Sequence, residues 1–455
     1  MMSRLATACG AVLACGMASA LAPRAAAETA PASVSTASVR ALPVAAFLDS
    51  LGVDTHVSQG YDIGKYIPAL QYLGVRVIRD STREVARLVT LHRETGVRAD
   101  IGNAGNLDEL LAAGRTLAAA GALLSFEGAN EPNNFPITYN GRKGGDRRSW
   151  LPVAEFQRDL YAAVKRDPLL RAYPVFHVSE GGAETDNVGL QWLTIPGGAG
   201  TVMPAGTRYA DYANPHNYVI GNCHGYLDNQ PWQAADPVLN KCWDGLYVEY
   251  GRTWARGYPG YDDAALRTLP RVTTETGWDS VSDPGGEPVQ GKVLVNTYLA
   301  QYARGWRYTF IYELGEGEGG GGHQGLFHAD WTPKPAATYI HALTAILAGT
   351  GTPPSGRTAA ALRYRIVNRP PLPALPLPAT VHDLLLAKPD GTFALAVWGE
   401  QVSGANDVTL ELGARHARVA VYDVTAGTVP VQTLVAADRV PLTLSDHALI
   451  VEITP

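Results

Sequence analysis

The sequence lacks the excess of positive charge that nucleic-acid-binding proteins carry. Its 37 lysines and arginines face 43 aspartates and glutamates, so the formal charge is only −6 over 455 residues. A balance this close to neutral offers no broad basic surface to a phosphate backbone, and we expect no nucleic-acid partner. Disorder is excluded as the main state, because 46% of the residues are hydrophobic.

Long apolar runs are also scarce. After the first thirty residues, no segment approaches the ~20 apolar residues that would cross a bilayer. Near the start, Arg4 precedes an apolar run over 5–21, and Ala25-Ala26-Ala27 forms a cleavage site of the A-x-A type. This pattern predicts a signal peptide over residues 1–27 and a protein that is secreted or periplasmic. A lipoprotein signal with Cys15 as the modified residue is the alternative.

Cysteine is rare, with four in the whole chain. Cys9 and Cys15 lie in the predicted signal peptide, which leaves Cys223 and Cys242. In an oxidising compartment, such a pair predicts a disulfide that closes a short loop. A metal site is the alternative, but the pair lacks C-x-x-C spacing and no H-E-x-x-H motif occurs. We therefore expect neither a metal nor an organic cofactor.

Residues 51–350 alternate short β-branched runs with helical patterns, which predicts an α/β fold with a parallel sheet. Eight strands in about 300 residues favour a closed (β/α)8 TIM barrel, because closure leaves no edge strand. Strands are predicted at 51–55, 75–79, 97–101, 122–126, 175–178, 209–214, 271–274 and 308–312. The clearest helices are predicted at 83–94, 107–120, 153–165, 293–304 and 335–347.

Residues 351–455 predict a small C-terminal all-β sandwich domain. A proline-rich stretch over 370–378 cannot form a helix or a central strand, so it is expected to run as an extended connection. The N-terminal segment 28–50 can pack on this domain through residues 38–46. The predicted strands are 361–367, 383–387, 392–398, 407–412, 418–423 and 448–454.

Two carboxylates follow barrel strands at the rim where barrel enzymes hold their chemistry. The fourth strand ends in Asn130-Glu131-Pro132, and the seventh ends in Glu275-Thr276-Gly277-Trp278. We expect these two strands to face each other across the ring. Paired carboxylates cleave glycosidic bonds: one protonates the leaving oxygen while the other stays ionised. Near-contact of the two negative charges is expected to raise the pKa of the less solvated carboxyl group.

The Asn-Glu-Pro run and the Glu-x-Gly-Trp run at matching strand ends resemble clan A of the glycoside hydrolases. The sequence is most similar to family 39 and to family 5-like enzymes, among them bacterial exopolysaccharide hydrolases. The resemblance covers roughly residues 50–350. It implies that Glu131 is the general acid/base and Glu275 the nucleophile, and that the reaction retains configuration. It also implies that Asn130 binds the 2-hydroxyl of the sugar.

Further rim residues are candidates for substrate binding. Arg79 ends strand two, where it can lie beside the nucleophile as in the clan or pair with Asp80. His216 and Tyr218 follow strand six on one side of an extended segment. His56 follows strand one, and a purely structural role remains an alternative for it as for the other two.

The end of strand eight departs from the family pattern. Where a tryptophan often forms the floor of the sugar site, this chain has Tyr312-Glu313, and either residue can point inward. Trp278 or Trp331 can supply the missing platform. The glycine-rich run over 315–322 lacks a Gly-Lys-Ser/Thr ending, so a mobile loop over the cleft is favoured over a phosphate cradle.

Other carboxylates compete with Glu131 and Glu275 for the catalytic roles. They are Glu127, Glu180, Glu313 and Asp330, of which Glu180 after strand five is the most serious rival. The function expected is a secreted retaining glycoside hydrolase acting on a β-linked polysaccharide or oligosaccharide. A non-catalytic carbohydrate-binding barrel is the alternative, and a metal-dependent hydrolase is a third hypothesis.

Overall fold

A computed structural model of the protein describes residues 37–103, 105–132, 134–145, 151–179, 207–219, 226–235, 270–320, 322–348, 361–369 and 375–455. The strands, in chain order, are β1 Ala37–Arg40, β2 Leu42–Pro43, β3 Leu51–Asp54, β4 Val77–Ser81, β5 Arg98–Gly102, β6 Leu123–Glu127, β7 Ile137–Tyr139, β8 Arg142–Gly144, β9 Arg271–Thr276, β10 Trp306–Ile311, β11 Ala361–Asn368, β12 Val381–Ala387, β13 Phe393–Gly399, β14 Asn406–Asp423, β15 Gln432–Leu444 and β16 Ala448–Thr454. The helices are α1 Val44–Leu48, α2 Ile63–Leu73, α3 Val85–Thr95, α4 Leu107–Ala119, α5 Leu151–Arg166, α6 Gln230–Ala234, α7 Gly286–Ala303 and α8 Pro335–Ala348.

The N-terminal part is a mixed α/β unit with a barrel-like parallel sheet. Six strands pair in the order β6-β5-β4-β3-β10-β9. Two further segments join the sheet through single parallel bridges, from Phe126 to Val175, from Phe176 to Tyr212 and from Ala213 to Arg271. These bridges lie where strands five and six are predicted, and they connect β6 to β9. The prediction of a mixed α/β fold with a parallel, barrel-like sheet is therefore confirmed.

The ring order corrects one expectation about the two strands that carry the candidate carboxylates. With β3 as strand one, β6 is strand four, β9 is strand seven and β10 is strand eight. Strand four therefore stands opposite strand eight. Strand seven lies three positions from strand four in the ring, one position short of opposite. Side chains from these ends still converge, because all of the parallel strands end at the same rim of the ring.

The helices between the barrel strands follow from their caps and apolar spacing. The Asn106 side chain accepts a hydrogen bond from the Glu109 amide and so caps α4, and the acidic first turn suits the helix dipole. Asp62 caps α2 through the Gly64 amide. That helix is missing from the predicted set, since Pro68 within it removes a backbone donor and masks the helical pattern.

The loop after strand four contains a β-hairpin that the sequence analysis did not predict. Strands β7 and β8 pair antiparallel over residues 137–144. Ile137 is buried, and the Tyr139 ring packs edge to face on Phe156 of α5, with the ring centroids 5.3 Å apart. The Tyr139 hydroxyl also donates to Asp159 of α5 at 2.9 Å. The hairpin is thereby attached to a barrel helix.

The C-terminal strands form a sheet in the order β1-β11-β14-β16-β13-β12-β2, with β15 paired to β14. All of its pairs are antiparallel except that of β2 with β12, which is parallel. The N-terminal residues 37–43 thus join this sheet. Predicted strands 407–412 and 418–423 are one continuous strand, β14. Strand β15 was missed because Pro441 argues against a strand; β15 pairs only with β14 among the described strands, and an edge tolerates proline. The sandwich arrangement stays a prediction.

Alternate residues of β13 and β16 face two different cores. Leu395, Val397 and Val451 lie in the core of the C-terminal sheet. Ala396 and Ile450 face the other way and belong to the core of the barrel. This period of two lets one sheet cover the barrel helices while closing its own core.

Among the helices that the structure describes, none combines the length and the apolar character that a membrane span needs.

A charged cluster joins the C-terminal sheet to the barrel. His447 lies 3.2 Å from Asp423 and 2.9 Å from Asp446, and Lys292 of α7 donates to Asp446 at 2.9 Å. Burial opposes the charge on His447, but the two aspartates outweigh it and raise the pKa of His447 to about 9. The imidazolium therefore stabilises the fold, and its contribution is complete below the unfolded pKa of about 6.5.

We expect His447→Gln to lower the thermal midpoint at pH 6 by at least about 2 °C, because two aspartates lose their shared cation. The loss should shrink as the pH rises through 9, since the native imidazole is then neutral. Thermal unfolding at pH 6 and pH 10 measures both effects. His416→Gln is the control, because His416 has no carboxylate partner among its described contacts and its pKa is lowered by burial. An equal deficit at both pH values contradicts the assignment.

Candidate active site

One guanidinium group organises the rim of the barrel. Arg79, in the middle of the short strand β4, donates to both oxygens of Glu127 at 2.6 and 3.1 Å. It also donates to Asp54 at 3.2 Å and to Glu275 at 3.1 Å. Its remaining contact is with the Asn130 side-chain oxygen at 2.6 Å. The predicted contact with the nucleophile candidate is therefore present, whereas the alternative pair with Asp80 is not among these contacts.

Strand register explains why these groups meet. Asp54 pairs with Arg79 across β3 and β4, and Gly102 pairs with Glu127 across β5 and β6. Each charged residue thus lies at or near the carboxyl end of its strand. Asp80 points elsewhere, because successive strand residues alternate sides, and it accepts hydrogen bonds from the Thr55 hydroxyl and the Val57 amide.

Glu275 has a donor for each carboxylate oxygen. Arg79 donates to Oε2, and the Tyr218 hydroxyl donates to Oε1 at 2.5 Å. Burial, together with the charge of Glu275, raises the pKa of Tyr218 well above its usual range, so Tyr218 keeps its proton as a donor. These two contacts hold Glu275 in one orientation.

Glu131 lies on a tight turn after strand four. Its backbone φ of 38° is in the left-handed region, and its carbonyl accepts from the amides of Asn134 and Phe135. Its Oε1 lies 2.7 Å from Nδ1 of His216, and its Oε2 accepts from Asn134 at 2.9 Å. The second nitrogen of His216 lies 2.9 Å from the Thr274 hydroxyl. His216 and Tyr218 thus flank the two candidate carboxylates, one on each.

The pKa of Glu131 corrects an expectation. Burial raises this pKa, but the hydrogen bonds from His216 and Asn134 and the charge of Arg79 outweigh burial, so the pKa is lowered. For Glu127, burial is likewise outweighed by Arg79, and its pKa is lowered. Asp54 differs: burial raises its pKa well above the usual range despite Arg79. The direction of each pKa shift therefore depends on whether the donors and charges that contact the carboxyl group outweigh its burial.

The two candidate carboxylates lie close together although 144 positions separate them. One oxygen of Glu131, one of Glu275 and a nitrogen of His216 lie within 4.8 Å of one another. His216 Nδ1 is also 3.5 Å from Glu275 Oε2. Carboxylates about 5 to 5.5 Å apart are typical of retaining glycosidases, whereas inverting ones need about 6.5 to 9.5 Å.

The same three residues could hold a metal ion by distance alone. Two carboxylates and an imidazole are ligands that Zn²⁺ or Fe²⁺ accepts. However, each of the four carboxylate oxygens already faces a donor or His216, and Arg79 supplies a cation 3.1 Å from Glu275. An ion would have to displace these contacts and approach a fixed positive charge. The donor set therefore fits a resident metal poorly.

The carboxylates open into a cavity of about 900 Å³. His56 lines this cavity and packs edge to face against Tyr312 at 5.6 Å, so it lies at the site as predicted. Burial, with the charge of Arg79, lowers the pKa of His56 to about 4, which keeps the ring neutral at physiological pH. Asn130 and Glu127 also line the cavity.

Three residues proposed for sugar binding do not reach the cavity. Trp278 is fully buried and packs edge to face on Tyr226 at 5.7 Å. Trp331 packs against Tyr66 and Phe327 instead. Glu313 is completely enclosed, with His56 as its nearest histidine at 3.7 Å, and burial raises its pKa to about 8. Tyr312 is the residue of this strand end that lines the cavity.

Some predicted features lie outside the described residues: the signal peptide, the Cys223–Cys242 disulfide and the rival carboxylate Glu180. Asp330, another rival, is exposed, and its hydrogen bonds within the described part of the chain come from Thr332 in its own turn. Sequence reasoning missed Asp54, although it ends strand one at the same rim and the rule for barrel strand ends could have found it. It also gave no role to Asn214 and Thr274, whose side chains contact Glu127 at 3.3 and 2.9 Å.

No family model and no curated protein matches the sequence. Among solved structures, the chain is similar to a family 39 glycoside hydrolase from Bacteroides cellulosilyticus WH2, with 15% identity, 91% of this chain and 81% of that chain covered, and a TM-score of 0.55. A glucosidase from Croceicoccus marinus matches with 11% identity, 92% and 97% coverage, and a TM-score of 0.56. A GH30 endoxylanase from Clostridium papyrosolvens C71 matches with 10% identity, 92% and 98% coverage, and a TM-score of 0.50.

Identities this low show a shared fold. The chain shares its fold with these glycoside hydrolases, and the resemblance that the sequence predicts is confirmed at this level.

We expect Arg79→Met to destabilise the protein by about 3 to 5 kcal/mol at pH 7, because the buried Glu127 and the partly buried Glu275 lose their cation. The penalty should shrink as the pH falls below about 4.5, the unperturbed pKa of Glu127, since the carboxylates then take up protons. Chemical denaturation at pH 7 and pH 4 measures the difference from wild type. Arg76→Met is the matched control, because Arg76 pairs with Asp49 at the surface. Equal losses in both variants contradict a central role for Arg79.

Proposed function

We propose that the protein is a retaining glycoside hydrolase, secreted or periplasmic, that cleaves a β-linked polysaccharide or oligosaccharide. A bacterial exopolysaccharide is a candidate substrate. The observation that carries the proposal is the approach of Glu131 and Glu275 to within 4.8 Å at the rim of a barrel of this fold. Their different donors support different roles, as two-carboxylate catalysis requires.

In the proposed reaction, Glu275 attacks the anomeric carbon and forms a covalent glycosyl-enzyme while the bond to the leaving oxygen breaks. Arg79 and Tyr218 support this role, because they donate to both oxygens of Glu275 and hold its carboxylate in one orientation. Arg79 donates to the side-chain oxygen of Asn130. The side-chain NH2 group of Asn130 is then available to contact the sugar 2-hydroxyl. Water then releases the sugar with net retention.

Glu131 is proposed to give a proton to the leaving oxygen and later to take one from water. Its lowered pKa means that the carboxylate alone is a poor store for that proton. The 2.7 Å contact between Glu131 Oε1 and His216 Nδ1 provides such a store. A proton shared between these two atoms can move onto the carboxyl group as the leaving oxygen approaches. Thr274, on the other nitrogen, keeps the ring oriented.

The charge of the cavity favours neutral sugars over uronic acids. Two arginines, Arg79 and Arg83, line the cavity, and Arg79 is committed to carboxylates. A substrate carboxylate would meet an excess of negative charge, which costs several kcal/mol for close like charges. The carboxylates that line the cavity are Asp54, Asp80, Glu109, Glu127, Glu131, Glu275 and Asp279. A screen for substrate therefore starts with neutral β-glucosides, β-xylosides, their oligosaccharides and neutral exopolysaccharides, and NMR follows the configuration of the product.

We expect Glu275→Ala to lower turnover of the best substrate by at least about a hundredfold, since no other group replaces the nucleophile. Added azide should restore turnover of an aryl β-glycoside and give the inverted glycosyl azide, which NMR identifies. Glu94→Ala, a change of a surface glutamate on α3, is the control and should leave the rate unaltered. A Glu275→Ala protein with the wild-type rate rules out the nucleophile assignment.

Glu131→Ala should affect substrates according to their leaving groups. Unactivated glycosides should lose about 10² to 10⁴ in kcat/KM, because their leaving oxygen needs a proton. Formation of the glycosyl-enzyme from dinitrophenyl glycosides should change far less, and stopped-flow measurement of phenolate release tests this. A uniform loss across leaving groups contradicts the general-acid role. Sugar binding without turnover of any substrate would favour the non-catalytic alternative.

A further inference from the structure

One aromatic ring stands out in the wall of the catalytic cavity. Phe135 lines the cavity together with Glu131 and Glu275, and 59% of its surface is exposed. It is the one phenylalanine or tryptophan in the exposed class among the described residues. An apolar ring inside an otherwise polar cavity is the exception there, since most of the other lining side chains are polar or charged.

The position of Phe135 is tied to that of Glu131 by backbone hydrogen bonding. The Phe135 amide donates to the Glu131 carbonyl at 2.7 Å, and the Asn134 amide donates to the same oxygen at 2.8 Å. The Asn134 side chain also donates to the Glu131 carboxylate. A single turn thus places the carboxylate and the ring together.

The chain beyond Phe135 is anchored as well. Pro136 follows it and restricts its backbone to extended conformations. The hairpin β7–β8 comes next, with Ile137 buried and Tyr139 bonded to Asp159 of α5. Burial does not hold the Phe135 ring in place. Its position depends instead on the backbone, which is anchored both before and after this residue.

The proposed function, on which this step rests, determines the side of the cavity that the leaving group occupies. A general acid lies next to the leaving oxygen, so the sugar beyond that oxygen occupies the side of the cavity where Glu131 stands. Phe135 belongs to the turn after strand four. Tyr312 and His56 follow strands eight and one, and strand eight is opposite strand four in the ring. Phe135 and Tyr312 thus line the cavity from strands on opposite sides of the ring.

We propose that Phe135 is a stacking platform for the sugar ring on the leaving-group side of the cavity. The ligand is a pyranose unit of an oligosaccharide or polysaccharide, with axial hydrogens that give it an apolar face. Burying that face against the exposed ring removes apolar surface from water on both partners. The platform positions the leaving oxygen beside Glu131, and it selects for chains over glycosides with a small leaving group.

Binding tests the platform without requiring turnover. Affinities for xylohexaose, a β-1,6-linked glucohexaose and a β-1,3-linked glucohexaose are measured calorimetrically in Glu275→Gln, with and without Phe135→Ala. We expect the loss of the ring to weaken whichever hexasaccharides bind by about tenfold, in line with aromatic contacts. Phe135→Trp and Phe135→Tyr should restore affinity, whereas Phe135→Leu should not, since it keeps apolar surface but lacks a flat face.

Leu169→Ala is the matched control. Leu169 is a similarly exposed apolar residue, 50% accessible, that follows α5 and does not line the cavity. Its removal should leave every affinity unaltered. In the active enzyme, Phe135→Ala should also reduce the ratio of transglycosylation to hydrolysis at a fixed acceptor concentration, because an acceptor sugar uses the same position and water does not.

The outcomes separate the two proposals. Full affinity in Phe135→Ala, full affinity in Phe135→Leu, or no binding of any of the three hexasaccharides overturns the platform. If aryl glycosides are still hydrolysed in that case, the proposed function stands. A tenfold loss of binding in a protein that hydrolyses no glycoside supports the platform and overturns the proposed hydrolase activity.

Discussion

The contact between Arg79 and three carboxylates is the interaction on which the site depends. A single guanidinium with five donors in a fixed plane reaches Asp54, Glu127 and Glu275 at once. Without it, these acids would face one another in a space with little water, and protonation would be cheaper than ionisation. With it, Glu127 stays ionised, while Asp54, which burial dominates, favours the protonated form. The charge of Arg79 thus makes a dense acidic rim compatible with folding.

The scaffold makes that contact possible through register. Parallel strands deliver their last residues to one edge, and the pairing of Asp54 with Arg79 brings the cation beside the first of its acids. The C-terminal sheet supports the barrel from outside, through the apolar faces of β13 and β16 and through the Lys292–Asp446 pair. The strand ends can therefore carry polar groups because the burial that stabilises the fold lies elsewhere.

The two candidate catalytic carboxylates differ in the groups that hold them. Glu275 lies between a cation and a tyrosine hydroxyl, both fixed by barrel strands or the segment after strand six. Glu131 lies on a turn with an unusual backbone angle and faces His216 and Asn134. The same turn presents Phe135, so the proposed acid and the proposed sugar platform come from one short piece of chain.

Several features could be predicted from the sequence because they depend on local pattern. The βα alternation, the strand ends at Glu131 and Glu275, and the helices with regular apolar spacing are properties of short stretches of chain. Where a local signal was ambiguous, prediction failed: Pro68 masked α2, Pro441 masked β15, and the hairpin after Glu131 went unnoticed. Trp278 and Glu313 were misplaced because a residue's type does not tell whether its side chain faces the cavity or the core.

Local pattern thus determined which elements form and which residues stand at the rim. Only the tertiary structure decided that Arg79 bonds with Glu127, Asp54 and Glu275 rather than with Asp80, that Glu131 lies against His216, and that its pKa falls. The physical reason is that charge and hydrogen-bond energies depend on distances of a few ångströms between groups far apart along the chain. Such distances follow from how the strands close into a ring and are not encoded in any single stretch of residues.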